Sequence, residues 1–289
     1  MTLDPVKLIE CPRDAMQGIK DFMPTTDKVG YLNQLLKVGY DTLDFGSFVS
    51  PKAIPQMRDT AQVLNGLNLE NSKTKLSAIV GNMRGATDAC VFEEIDLLGY
   101  PFSISETFQI RNTNATLDES LKRVEEIQEM CVKHNKELLL YISMAFGNPY
   151  GDPWNIEICQ SWIQKLSELG ITTMALSDTI GVGTPGSISY LFGNLIPEYP
   201  EIEFGAHLHT LPYNWREKVE AAFSNGCLRF DSAIRGFGGC PMAKDDLTGN
   251  MPTENLLMYF DEEKIPLNLD RIEFNRSVSL ALDVFPTDH

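Results

Sequence analysis

The sequence predicts an α/β fold, a single (β/α)8 barrel (a TIM barrel) over residues 1–289 with a short C-terminal extension. Three observations predict it. Eight short, β-rich apolar runs recur almost from end to end, each followed by a helical pattern or a helix-sized gap. The runs are continuous in hydrophobicity rather than alternating, as strands covered on both faces are. The 289 residues exceed the roughly 250 of such a barrel by enough for extra C-terminal chain. A doubly wound sheet needs no eighth unit and usually carries a glycine turn after its first strand. Here Cys11-Pro12-Arg13-Asp14 follows instead.

The predicted strands are Val6–Glu10, Thr42–Phe45, Lys75–Val80, Ile95–Tyr100, Leu138–Ser143, Thr173–Ser177, Ile202–His207 and Leu228–Asp231. Helix Thr26–Lys37 opens on Thr25 and Thr26, with Asp27 in the first turn where an acid suits the helix dipole. Helix Leu117–His134 opens at Thr116, and Glu119 three residues on completes a capping box. Trp154–Leu169 stops at Gly170, a residue able to adopt the left-handed closing conformation. Gly186–Leu195, Trp215–Asn225 (closed by Gly226) and Thr253–Phe260 complete the pattern.

In a barrel the ends of the strands converge on one face, where barrel enzymes keep their active sites. Arg13-Asp14 follows the first strand, Asp44 to Ser47 ends the second, and Tyr141 to Ser143 ends the fifth. Asp178-Thr179 follows the sixth, His207 and His209 end the seventh, and Gly236 to Cys240 follows the eighth. No linker, low-complexity segment or repeat divides the chain.

Composition narrows the partners. Forty acidic residues against 24 basic ones give a net charge of −16, which disfavours nucleic acid or an anionic membrane. A phosphorylated ligand needs only a local basic patch. No apolar run reaches the ~18 residues of a membrane span, and the N-terminus shows no secretory pattern. The six cysteines stand singly, without a CxxC pair. That argues against a disulfide framework or a cysteine zinc site, and for the reducing cytoplasm.

His207 and His209 lie two apart on a strand, so their rings share a face and can hold one metal ion between them. The alternative is a purely structural pair. Asp14 and Asn250 would add oxygen donors, and two nitrogens with two oxygens suit Mg2+ or Mn2+ better than a structural zinc. A catalytic zinc stays open. Arg13 beside Asp14 can stabilise an enolate or bind a carboxylate, or can form a salt bridge with Asp44 in the barrel mouth. Cys240 in Gly238-Gly239-Cys240-Pro241 is either a proton donor or nucleophile, or a small residue in a tight turn. The loop Asp178 to Gly186 can bring a carboxylate to the site or simply cap the next helix. Lys20, Lys52, Arg58 and Arg111 are candidates for anionic groups.

With these residues assembled, the sequence resembles the hydroxymethylglutaryl-CoA lyases of the DRE-TIM metallolyase superfamily. The resemblance covers nearly the whole chain. Its motifs are Pro12-Arg13-Asp14-x-x-Gln17, Ser47 to Met57, Ser177 to Gly186, Ala206-His207-x-His209, Gly236-x-Gly-Gly-Cys240-Pro and Gly249-Asn250-x-x-Thr-Glu254. It implies a divalent-cation-dependent, retro-aldol cleavage of an acyl-CoA to acetyl-CoA and acetoacetate, as in leucine degradation and ketone-body formation. Asp14, His207, His209 and Asn250 would hold the metal. Asp178 would be the base, Arg13 would stabilise the enolate and Cys240 would protonate it. Gln17, Lys20, Asp44, Ser47 and Thr179 would meet the substrate, and a homodimer is expected. Two departures stand out. Asp44 occupies a glutamate position of the family, and Thr210-Leu-Pro-Tyr-Asn214 replaces its Asp-Thr-Tyr-Gly run. The alternatives are a related aldolase or lyase on another hydroxy-acyl-CoA or keto acid, or a non-catalytic metal-binding barrel.

Overall fold

The computed structural model describes residues 5–239 and 248–285. Eight strands run parallel: β1 (Lys7–Glu10), β2 (Thr42–Ser47), β3 (Lys75–Ile79), β4 (Leu97–Ser103), β5 (Glu137–Ser143), β6 (Thr173–Asp178), β7 (Glu203–Thr210) and β8 (Arg229–Ser232). Each pairs with its neighbours in sequence, and β8 pairs with β1, which closes the (β/α)8 barrel. A two-residue strand, β9 (Gly249–Asn250), runs antiparallel to the end of β7.

The apolar residues divide by face. Outward positions such as Leu8, Leu43, Leu76, Leu98, Leu140, Met174 and Phe230 pack under the helices in one continuous core. Each such burial stabilises by roughly 1.5–3 kcal/mol. Inside the barrel only a small plug, Ile79, Leu97, Leu139, Tyr141 and Ala175, forms a separate cluster. The inward residues above and below that plug are therefore largely polar, and this positions the site.

The helices follow their caps. Leu117–Lys133 has the full Thr116/Glu119 capping box and buries Ser120, Val124, Ile127 and Cys131 on one stripe. The helix after β6 begins at Pro185, one residue earlier than expected, because Thr184 caps it and proline suits the first turn. Strand β7 runs on to Thr210, so both histidines lie within it. Helices Pro12–Gln17, Thr60–Asn65, Met83–Cys90 and Glu106–Thr113 were not expected, being too short for a periodic pattern. The C-terminal extension is the helix Arg271–Val284, held to helix Thr25–Leu36 by Gln34 Nε2 donating to Glu273 at 2.8 Å. Among the described residues no helix is long and apolar enough to cross a membrane.

Candidate active site

The six-residue helix Pro12–Gln17 starts directly after β1 and turns Arg13, Asp14 and Gln17 to one side. Arg13 is gripped from two directions. Its Nη2 donates to Asp44 Oδ2 at 2.6 Å and its Nε to the same carboxylate at 3.1 Å. Its Nη1 donates to Asp14 Oδ1 at 2.9 Å and to Gln17 Oε1 at 2.8 Å. Burial tends to lower the Arg13 pKa, but the carboxylates of Asp44 and Asp14 outweigh it and hold the charge fixed. Burial likewise works to raise Asp14, yet the adjacent Arg13 and His207 carry it below the usual range. Asp14 is thus an ionised oxygen donor.

His207 and His209 project from the same face of β7, with ring centres 5.4 Å apart. Donor atoms of Asp14, His207 and His209 all lie within 4.8 Å of one another. His207 Nδ1 lies 3.0 Å from Asp231 Oδ2, which leaves Nε2 for a cation. Burial works to lower His207, but the Asp231 hydrogen bond and charge raise it on balance. Burial, helped by neighbouring His207, pushes His209 down to about 4, so it is a neutral imidazole near pH 7, the form that binds metal. Asn250 sits opposite His209 in the β7–β9 pair. Its Nδ2 donates to Asp14 Oδ2 at 2.7 Å and to Phe237 O at 2.9 Å, so the atom it presents to a cation is Oδ1.

Two ring nitrogens, a carboxylate and an amide oxygen fit a divalent ion with open positions for substrate. Cys11, His207 and Asp231 form a second close trio. Burial pushes the Cys11 thiol well above its usual range, so it stays protonated and a poor ligand. Gly238, at φ +90°, lets the loop after β8 press on this cluster. A Cβ there would come within 2.7 Å of Asp14 O and 2.8 Å of Asn250 Nδ2.

The cluster forms the floor of a cavity of about 430 Å³ at the C-terminal mouth. Tyr141, Ser143, Ser177 and Thr179 make one wall, while Val49, Ile54, Ile79 and Pro101 make an apolar one. Phe108, Arg111, Asn112 and Thr113 stand at the rim. A larger basin, about 1240 Å³, opens at the opposite mouth and holds none of these ligands. The chemistry of the donor set, not size, marks the smaller cavity as the candidate site.

A family model described as HMGL-like matches residues 6–280. The chain belongs to the HMGL-like family. It is 32% identical over 270 residues to 3-hydroxy-3-isohexenylglutaryl-CoA/hydroxy-methylglutaryl-CoA lyase of Pseudomonas aeruginosa, covering 92% of this chain and 88% of that protein. It is 32% identical over 255 residues to the cytoplasmic 3-hydroxy-3-methylglutaryl-CoA lyase of Rattus norvegicus, covering 87% and 73%. An HMG-CoA lyase from A. baumannii, solved with coenzyme A and 3-methylmalate, superposes with a TM-score of 0.90 at 28% identity, covering 98% and 92%. The carboxyl transferase domain of Rhizobium etli pyruvate carboxylase, at 16% identity and a TM-score of 0.70, shares the fold alone.

In this HMGL-like barrel Arg13, Asp14, Gln17, Thr179, His207 and His209 line the cavity, with Asn250 beside them. Four expected residues do not line it. Asp178 faces the opposite side of β6, where its carboxylate accepts from Lys218 Nζ at 2.6 Å and from Gly183 N at 2.8 Å. It is not positioned to take a substrate proton. Asp44 lies beneath Arg13, fully buried, and acts by orienting it. The Ser47 hydroxyl is turned to backbone, donating to Ile79 O at 3.3 Å. Lys20 is exposed just beyond helix Pro12–Gln17 and outside the cavity lining. Cys240 lies outside the described residues.

Two contributors, Asp231 and Lys218, were not singled out from sequence, while Tyr141 was placed at the end of the fifth strand. Asp231 orients His207. Lys218 joins Asp178 to the carbonyl of His209, donating to that oxygen at 2.9 Å. Tyr141 sets its ring edge-on to His207 at 5.5 Å. Asp231 had a readable signal, a carboxylate at the C-terminal end of a barrel strand. A lysine within an amphipathic helix gives none.

Proposed function

We propose that this HMGL-like protein is a divalent-cation-dependent carbon–carbon lyase that cleaves 3-hydroxy-3-methylglutaryl-CoA to acetyl-CoA and acetoacetate. The observation that carries the reading is the convergence of Asp14, His207 and His209 beside Arg13 in a cavity at the C-terminal mouth. The relatives named as lyases of this substrate support it. Asp14, His207, His209 and Asn250 would hold Mg2+ or Mn2+. When bound, the cation would act as a Lewis acid on the substrate's tertiary hydroxyl and orient the acyl chain.

The bond broken joins C2 and C3 of the acyl group. The hydroxyl proton leaves, C3 becomes the ketone of acetoacetate, and the bonding pair passes to C2 as the enolate of acetyl-CoA. Arg13 has five N–H groups. Asp44, Asp14 and Gln17 account for four, which leaves one on Nη2 for the enolate oxygen. Asp44 and Asp14 hold that donor in place before substrate arrives. Asp231 fixes the His207 ring, and Lys218 with Asp178 fixes the strand at His209. Cys240 is assigned the return of a proton to C2. The hydroxyl proton would leave to water in the cavity, because β6 presents only the hydroxyls of Ser177 and Thr179 there and Asp178 is turned to Lys218.

The apolar wall of Val49, Ile54, Ile79 and Pro101 favours a second reading, a 3-hydroxyglutaryl-CoA with a different branch at C3. The altered segment Thr210–Asn214 lies directly after His209. Incubation with 3-hydroxy-3-methylglutaryl-CoA and Mg2+ or Mn2+, followed by assay of acetoacetate, decides between them. Metal-dependent acetoacetate is expected. Cleavage of other branched analogues with none of this one would select the second reading, and inactivity towards all of them would refute lyase chemistry.

A further inference from the structure

The chain after β8 reaches the Asp14 cluster through unusual backbone. Arg235 and Gly236 lie at φ +61° and +67°, and Gly238 and Gly239 follow at +90° and +134°. Arg235 is a non-glycine residue in the left-handed region, and such backbone persists only where its surroundings over-determine it. One restraint is local: Arg235 N donates to Glu254 Oε2 at 2.9 Å.

Phe237 lies in the middle of this run. Its carbonyl accepts from Asn250 Nδ2 at 2.9 Å, and the same Nδ2 donates to Asp14 Oδ2 at 2.7 Å. An amide nitrogen has two N–H groups, and these acceptors engage both. They therefore decide which way the amide is turned, and with it where Oδ1 points.

The second restraint on Phe237 comes from outside the eight barrel units. Phe285 directly follows helix Arg271–Val284 of the C-terminal extension, and its N–H still donates to Ala281 O at 2.9 Å. Its ring lies 4.8 Å from that of Phe237, tilted by 31°. Tyr31 of helix Thr25–Leu36 meets the Phe285 ring edge-on at 5.5 Å, so Phe285 is itself held from behind. Phe285 is buried, and neither it nor Phe237 lines the cavity. The extension is thus joined to Asp14 by a continuous path: the Phe285 ring, the Phe237 ring and carbonyl, the Asn250 amide and the Asp14 carboxylate.

We propose that the C-terminal extension positions the metal centre, with Phe285 acting through Phe237 to aim the Asn250 amide, an inference that rests on the ligand set proposed above. Phe285 is a positioning residue, since it touches neither the cavity nor a ligand. Two full-chain variants separate this role from general packing. Phe285→Ala removes the stack, while Phe274→Ala removes another buried ring of the same helix that lies outside it. The Met251 amide, bonded to Leu208 O at 3.0 Å beside Asn250, is the reporter. In metal-free protein its hydrogen exchange, measured relative to the β5 amides, should quicken about tenfold in Phe285→Ala and stay unchanged in Phe274→Ala. By calorimetry the Mn2+ dissociation constant should rise about tenfold in Phe285→Ala and less than about twofold in Phe274→Ala. Phe237→Leu breaks the stack from the other side and should give the same two shifts, to which Phe285→Ala should then add little. If Phe285→Ala does not fold, Phe285→Leu carries the comparison, with smaller shifts in the same directions. Failure of the wild type to bind Mn2+ would refute the ligand set alone, because the metal-free exchange still decides whether Phe285 holds the Asn250 segment. Equal shifts in Phe285→Ala and Phe274→Ala, or none in either, would overturn the proposal.

Discussion

Glu10 offers a titration that can be read directly in stability. It ends β1 with no exposed surface. Its Oε1 accepts from Ile234 N at 2.7 Å and its Oε2 from Thr253 Oγ1 at 2.6 Å. These two contacts bracket the segment that contains Gly238 and Asn250. Burial raises the carboxyl from 4.5 to about 8, although both hydrogen bonds pull it down. The folded protein thus keeps a proton that the unfolded chain loses near pH 4.5. Stability from this group is intact below pH 4.5, falls as pH rises towards about 8, and levels off above it. At about 1.4 kcal/mol per unit, the gap caps the loss at roughly 5 kcal/mol. Glu10→Gln keeps a neutral acceptor for Ile234 N and cannot titrate. Urea unfolding at pH 5 and pH 8.5 should show the wild type losing several kcal/mol more than the variant between the two. Parallel losses would refute a buried, proton-retaining Glu10.

Other variants probe the site itself. Asp231→Asn should weaken Mn2+ binding about 10–100-fold by calorimetry, because His207 loses the partner that orients its ring. Arg13→Lys keeps the charge but cannot bridge Asp44, Asp14 and Gln17 at once; kcat should fall by about 10²–10³ with metal affinity little changed. Lys218→Met leaves Asp178 buried without its cation and should destabilise by about 3–5 kcal/mol, measured by urea unfolding. Asp178→Asn in the Lys218→Met background should recover part of that loss, whereas a role for Asp178 as base requires Asp178→Asn alone to abolish turnover in a fully stable protein.

The barrel was legible because eight buried strands and their helix stops leave few other topologies. The histidine pair was legible because strand periodicity is two, so His207 and His209 must share a face whatever the surroundings. The same periodicity separates Ser177 and Thr179 from Asp178, but it does not say which face is inside. On a strand buried on both sides that choice is made by the neighbours: Ser177 is register partner to His207 and therefore faces the barrel axis. Asp178 then falls among the helices, where Lys218 meets it. Helix Pro12–Gln17 was invisible for a different reason, since six residues give less than two turns of pattern. Its consequence, Arg13 and Gln17 on one side with Asp14, depends on that turn.

The two ends of the barrel interior use charge differently. At the C-terminal mouth Asp14 and Asp44 hold the Arg13 guanidinium and Asp231 holds the His207 imidazole, each by a short contact. Formal neutrality there needs two further positive charges, which is what a divalent ion supplies. At the N-terminal mouth acids and bases offset one another: Lys7 and Arg229 meet Glu203, Lys75 meets Glu137, and the Asp41 carboxylate also acts on Lys7 and Arg229. Between them lies the apolar plug of Ile79, Leu97, Leu139, Tyr141 and Ala175. An apolar septum of low dielectric makes each mouth answer for its own charge. The His207–Asp231 pair is the point where the upper cluster is anchored to β8.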